Sequence, residues 1–144
     1  DACFDAKRLI EKLPDLPDGM KPRQVHVLDA VNEIQKKQGF CRVSDISSYM
    51  NTTLPSITKL VQELEERNLL VKQADEKDKR VINLTLTEEG KEFVELRVTH
   101  FHGEWASRLP DLDDAVVDEF VHAITRTQET MPGRKGVKNN GKRK

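Results

Sequence analysis

The chain has 144 residues, which fits one domain, or one domain with appended helices. No apolar run approaches about 18 residues, the length a membrane helix needs, and no signal-peptide pattern is present. Asp rather than Met at position 1 leads us to expect a trimmed start. Two cysteines, Cys3 and Cys41, without a C-x-x-C or a metal-type cluster, are expected to be free thiols in a reduced cytoplasm.

A net charge of −1 hides an uneven distribution. Residues 1–20 carry −2, residues 21–87 carry +2, residues 88–131 carry −7 and residues 132–144 carry +6. The central segment is thus more positive than the helical stretches beside it. An acidic far side would repel phosphate and turn the central segment toward a duplex. The effect is modest, because +2 is small beside strongly basic DNA binders.

In chain order, Ala2–Leu13 is an expected helix with Phe4, Leu9, Ile10 and Leu13 apolar. Pro14 to Pro22, with three prolines and a glycine, reads as a connector. Pro22 opens a second helix to about Gln38. Its Val25, Leu28, Val31 and Ile34 recur every three residues, as in a buried supporting helix, and Gly39 ends it. Lys21 supplies no N-cap.

The stretch 43–87 holds the strongest pattern. A short helix from Ser44 to Met50 takes Ser44 as cap, and Asn51 stands where the chain must turn in a left-handed conformation. Thr53 caps the next helix, with Pro55 in its first turn. There Ile57, Leu60, Val61 and Leu64 form one apolar face, opposite Ser56, Lys59, Gln62 and Glu63. Asn68 is expected as the left-handed C′ residue. A helix–turn–helix of this polarity turns its second helix outward, as major-groove readers do. Leu70–Gln73 and Val81–Leu86 then read as two strands around the polar loop 75–79, a β-hairpin wing.

Thr87 caps a long helix from Glu88 to about Leu109; with Gly90 at its third position, the S/T-x-x-E capping box is absent. Phe93, Val94, Leu96, Val98, Phe101, Trp105 and Leu109 are its apolar positions, over about 33 Å at 1.5 Å per residue. After Pro110, Asp111 is expected to cap a last helix to about Met131, with Leu112, Val116, Val117, Phe120, Val121, Ile124 and Met131 as its apolar stripe. Residues 132–144 form a basic tail rich in Gly, Asn and Lys, either a phosphate-contacting arm or a solubilising terminus. The fold class is therefore mainly α with a small β wing (α+β): a winged helix–turn–helix flanked by long helices.

Catalysis finds no support. There is no Ser/His/Asp spacing, no Gly-rich phosphate loop and no carboxylate pair in a defined cleft, so neither an enzyme nor a cofactor is expected. His100 and His102 are two apart on a helix, about 200° around its axis, and do not share a metal from one face. Glu63, Glu65 and Glu66 read as a solvated acidic face.

Asp78-Lys79-Arg80-Val81-Ile82-Asn83-Leu84-Thr85-Leu86-Thr87-Glu88-Glu89-Gly90 resembles the D-x-R-x-x-x-(V/L)-x-L-T-x-x-G wing of the MarR family of winged-helix transcriptional regulators. Ile57-Thr58-Lys59-Leu60-Val61-Gln62-Glu63-Leu64-Glu65 likewise resembles that family's recognition helix. The resemblance covers about Pro22 to Met131. Gln73 departs from it where a basic residue is common, and Asn68 where Gly is usual. It implies a single MarR-like domain over 1–131, with the winged helix at about 22–87 and dimerisation helices at about 1–13 and 88–131. It implies a homodimer on a pseudo-palindromic double-stranded DNA operator, with helix 53–66 in the major groove and wing 72–86 on the minor groove. It also implies repression relieved by a small molecule, such as a phenolic or other aromatic carboxylate, held between DNA module and dimer helices. The zinc-responsive branch would show an H-x-x-x-H, which is absent. Cys3 resembles in position the peroxide-sensing cysteine, but the accompanying tyrosines are missing. The expected DNA contacts are Arg42, Ser44, Thr52, Thr53, Ser56, Thr58, Lys59, Gln62, Lys77, Lys79 and Arg80. Ser56, Thr58, Lys59 and Gln62 suit base edges; Lys77, Lys79 and Arg80 suit phosphate or the minor groove, with Asp78 orienting Arg80. The alternative, suggested by Asp75, Glu76 and Asp78 in the wing loop, is a winged-helix protein-interaction module without DNA binding.

Overall fold

The computed structural model describes residues 4, 5, 8, 14–75, 78–109 and 111–130. Lys77, Cys3, Pro110, Met131, most of the expected first helix and the basic tail lie outside them; within that helix Phe4, Asp5 and Arg8 are helical. The chain divides into two units, residues 1–105 and residues 106–144.

In the first unit the supporting helix is α1, Pro22–Gln38. Val25, Leu28, Val31 and Ile34 are all buried, as are Val27 and Ala30. Gly39 closes it at φ +81. The missing cap at Lys21 is replaced from inside the helix, where the Gln24 side chain accepts the Lys21 N–H at 2.8 Å. Next come α2, Val43–Tyr49, and α3, Leu54–Glu66. The start of α2 corrects the expected Ser44 cap. Arg42 holds the N-cap position, because the Asp45 carboxylate accepts the Arg42 N–H at 2.9 Å, and Ser44 falls inside the first turn. Asn51, at φ +48, makes the turn.

On α3, Ile57, Val61 and Leu64 are buried and Leu60 is half-buried. The helix leaves through Asn68 at φ +57, whose N–H donates to the Glu65 carbonyl while the Leu69 N–H donates to the Leu64 carbonyl. That paired return is a Schellman motif. Strands β1, Leu70–Ala74, and β2, Ile82–Leu86, pair antiparallel with Leu70 opposite Leu86 and Ala74 opposite Ile82. Val81 stays out of β2 because its N–H closes the wing turn onto the Asp78 carbonyl at 2.8 Å. Leu70, Leu84 and Leu86 face the core. Gln35 of α1 ties the sheet down, donating to the Leu84 carbonyl at 3.1 Å.

Thr87 caps α4, Glu88–Val94, its hydroxyl accepting the Gly90 N–H at 2.9 Å. Helical structure then continues through a π turn, Glu95–Thr99, into α5, His100–Ala106. The expected uninterrupted helix to Leu109 is thus corrected twice. It contains a π turn, within which Arg97 reaches back to the Asp15 carbonyl at 2.7 Å. It stops at Ala106, whose carbonyl accepts the Leu109 N–H in a turn.

In the second unit, α6 runs Asp114–Thr130. Asp113 rather than Asp111 is its cap, accepting the Val116 N–H at 2.9 Å, since the Leu112 N–H is held by the Leu109 carbonyl and keeps Asp111 in the preceding turn. Leu112, Val116, Val117, Phe120, Val121 and Ile124 are exposed. No helix among the described residues is long and apolar enough to cross a membrane.

Candidate nucleic-acid interface

The outer face of α3 carries Ser56, Lys59 and Gln62, all exposed. Ser56 is hydrogen-bonded to Thr53 at 2.9 Å, hydroxyl to hydroxyl, which joins the helix start and its first turn into one polar pair. Gln62 donates to Glu66 at 3.2 Å, an exposed bond that a base edge can replace. Lys59 projects outward between them.

Two neighbouring hydroxyls are committed inside the protein. Thr58 donates to the Leu54 carbonyl at 2.9 Å, and Thr52 to the Met50 carbonyl at 3.1 Å, which leaves each side chain only an acceptor oxygen and a methyl to offer. Ser44 is exposed in the first turn of α2. Arg42, beside it, lies with its guanidinium 4.9 Å from the centroid of the Phe40 ring. That cation–π seat holds the charge outward. Residue type alone points to Arg42, but not to the half-exposed Phe40 that steadies it.

The wing presents Arg80, whose side chain is 90% exposed. Its Nε and one terminal nitrogen donate to the two oxygens of Asp78 at 3.0 and 3.1 Å, and its backbone N–H donates to the same carboxylate at 3.1 Å. The expected orienting role of Asp78 is thereby present in the geometry. The Arg80 hydrogen bonds hold the Asp78 carboxyl below its ordinary range. Asp75 is also engaged, accepting from the Asn83 amide at 3.2 Å and from the Asp78 N–H. Lys79 is exposed at the turn.

Glu63 departs from the expected solvated face. It is half-buried and accepts from Gln24 of α1 at 2.9 Å. Glu65 pairs with Lys72 of β1 at 2.6 Å. Contacts across 39 and 7 positions carry no signal in local spacing. Elsewhere in the first unit, an open groove of about 630 Å³ is lined by Asn32 and Lys36 of α1 and by Lys91, Glu92, Val94, Glu95, Leu96 and His100. Among the described residues no group of His, Cys, Asp or Glu could hold a metal ion.

Residues 18–81 match the model of the MarR family. Over 72 residues, half of this chain, the sequence is 38% identical to the HTH-type transcriptional repressor MdtR of Bacillus subtilis (strain 168). Over this segment the chain is similar to the MarR family. Its match spans 44% of the length of MdtR. Among solved structures, Streptococcus pneumoniae FabT in complex with DNA is similar, with a TM-score of 0.67, 20% identity and 89% of each chain covered. Bordetella bronchiseptica BpsR, described for regulation of its DNA binding by 6-hydroxynicotinic acid, gives a TM-score of 0.65 at 22% identity over 90% of each chain. At these identities the two structures speak for the fold.

The MarR-type T-x-x-G after the wing has a physical basis here. The Thr87 hydroxyl donates to the Asn68 carbonyl at 2.6 Å while accepting the Gly90 N–H, and a Cβ at Gly90 would collide with the Leu69 carbonyl. The motif thus locks α4 onto the exit turn of α3. Asn68, where the MarR pattern has Gly, accepts its positive φ because its side chain tolerates that region.

Proposed function

We propose that this chain is a sequence-specific double-stranded DNA-binding transcriptional regulator, a repressor in kind, that acts as a homodimer. The observation that carries the reading is the exposed set Ser56, Lys59 and Gln62 on a helix–turn–helix, flanked by an Arg80 that Asp78 holds in one orientation. Helix α3, with Thr53 at its N-cap position, enters the major groove, where amide, amine and hydroxyl groups discriminate base edges. The wing, about 72–86, lies along the minor groove, where an oriented arginine reads width and potential. Arg42 and Lys79 contact phosphate.

The exposed stripe of α6 is the dimer surface, because five large apolar side chains in one face need a cover. Two copies then place two α3 helices on a pseudo-palindrome. A small-molecule effector binds the groove between α1 and the α4–π segment, where Lys36 and Lys91 alternate with Glu92 and Glu95 beside Val94 and Leu96. An aromatic carboxylate is the class we propose, by analogy with the BpsR effector. A DNA-binding regulator works where the DNA is, so we place the protein in the cytoplasm.

The test is recovery of fragments from sheared genomic DNA by the pure protein, followed by titration against scrambled competitor. Enrichment of particular fragments supports the reading. Uniform recovery contradicts sequence specificity, and no recovery favours a winged-helix protein-interaction module.

A further inference from the structure

Gln24 is the one buried polar side chain among the described residues, at 2% exposure. Its carboxamide accepts the Lys21 N–H and donates to the Glu63 carboxylate at 2.9 Å, and Lys21 Nζ lies 3.4 Å from the same oxygen. Four residues further on, Arg67 donates to the Gly19 carbonyl at 2.7 Å and to the Asp18 carbonyl at 3.5 Å. Gly19 fits this approach in two ways: it adopts φ +72, and a Cβ there would stand 2.8 Å from an Arg67 nitrogen. The receiving segment, 18–24, is itself held. Met20 is buried, Leu16 packs on the core, and the Asp15 carbonyl accepts from Arg97.

We propose that Glu63 and Arg67 form a two-point latch that fixes the pitch of α3, with Gly19 and Gln24 as positioning residues for base discrimination. The proposal rests on the DNA-binding reading. Ile57, Val61 and Leu64 anchor α3 by apolar burial, which is non-directional and sets depth more than angle. The latch supplies direction. Glu63 lies seven residues past Ser56, about 10 Å along the helix. A tilt of about 10° pivoting there moves Ser56 by about 2 Å, beyond what a hydrogen bond to a base edge tolerates. Phosphate contacts, made through long flexible side chains, absorb such a shift.

Gln24→Met and Gly19→Ala break the latch from its receiving side, leave the net charge unchanged and lie off the reading face. The probes are the duplex that wild-type protein selects from a random library and a scramble of that duplex. Each variant should lower the ratio of affinities for the two by about tenfold, the worth of one base contact. Affinity for the scramble and its salt slope, set by phosphate contacts, should stay at wild-type values. If melting shows that either variant fails to fold, Arg67→Lys, which keeps the charge but loses the two-carbonyl reach, should show the same loss. Folded variants with the full wild-type ratio overturn the latch alone. Wild-type protein that selects no preferred duplex overturns the DNA-binding reading, and the latch with it.

Discussion

Gly90→Ala and Gly103→Ala are the same substitution in two helices of one subunit, and the structure assigns them opposite signs. At Gly90 the new methyl meets the Leu69 carbonyl, a backbone atom already fixed by accepting the Thr87 N–H at 3.2 Å. Neither side can rotate away, so α4 must lift off the exit turn of α3. Overpacking of this kind costs about 1–3 kcal/mol, and a backbone obstacle puts it at the upper end. Alanine returns about 0.5–1 kcal/mol of helix propensity. The net loss should be about 2 kcal/mol, a urea midpoint lower by about 1 M. Nothing lies within 4 Å of a Cβ at Gly103, so only the propensity gain remains there, about 0.5–1 kcal/mol. Urea unfolding of both variants at one protein concentration measures the pair. A Gly90→Ala midpoint at or above wild type would refute the T-x-x-G lock.

Arg80→Ala should weaken binding to every sequence and flatten the salt dependence by about one unit of slope per lost phosphate contact. Lys59→Ala should cost about 1–3 kcal/mol on the selected duplex and much less on a scramble; equal losses for both variants on both duplexes would mean the roles are misassigned. Cys41 gives the pH dependence. Burial, with the Asp45 charge second, pushes its thiol from 9.0 to about 12. A raised native pKa favours folding of the neutral thiol, so that stability is complete below about pH 9 and is lost as the pH rises through about 12. Wild type should therefore lose more stability than Cys41→Ala between these limits, and parallel curves would contradict the assignment.

The sequence shows the parts of this molecule whose causes are local. The apolar face of α3, the asparagines at 51 and 68, the hairpin and the Thr87 cap each follow from residue type and spacing, and the structure places them as expected. The differences have non-local or competing causes. Ser44 is by type the better cap, but Asp45 satisfies the Arg42 N–H by reaching back from the third position. Asp111 gives way to Asp113 because the turn before it already uses the Leu112 N–H. Glu63 reads as solvent-facing because its partner, Gln24, lies in another helix. The π turn has no sequence signature that spacing alone reveals, since Phe93, Val94 and Val98 fit an uninterrupted helix equally well. Among the outer residues of the helix–turn–helix, sequence chemistry names the groups but not which hydroxyls are committed; Thr58 and Thr52 turn back on carbonyls four and two residues earlier, a local competition that residue type alone leaves open.

The central claim, that paired α3 helices read a duplex, is tested most directly by footprinting the pure protein on its selected fragment. Two protected half-sites about 10 base pairs apart, centre to centre, are expected, with Lys59→Ala erasing protection that scrambled DNA never shows. A single unpaired footprint would contradict the dimer. Protection that ignores sequence would contradict the reading of bases by α3.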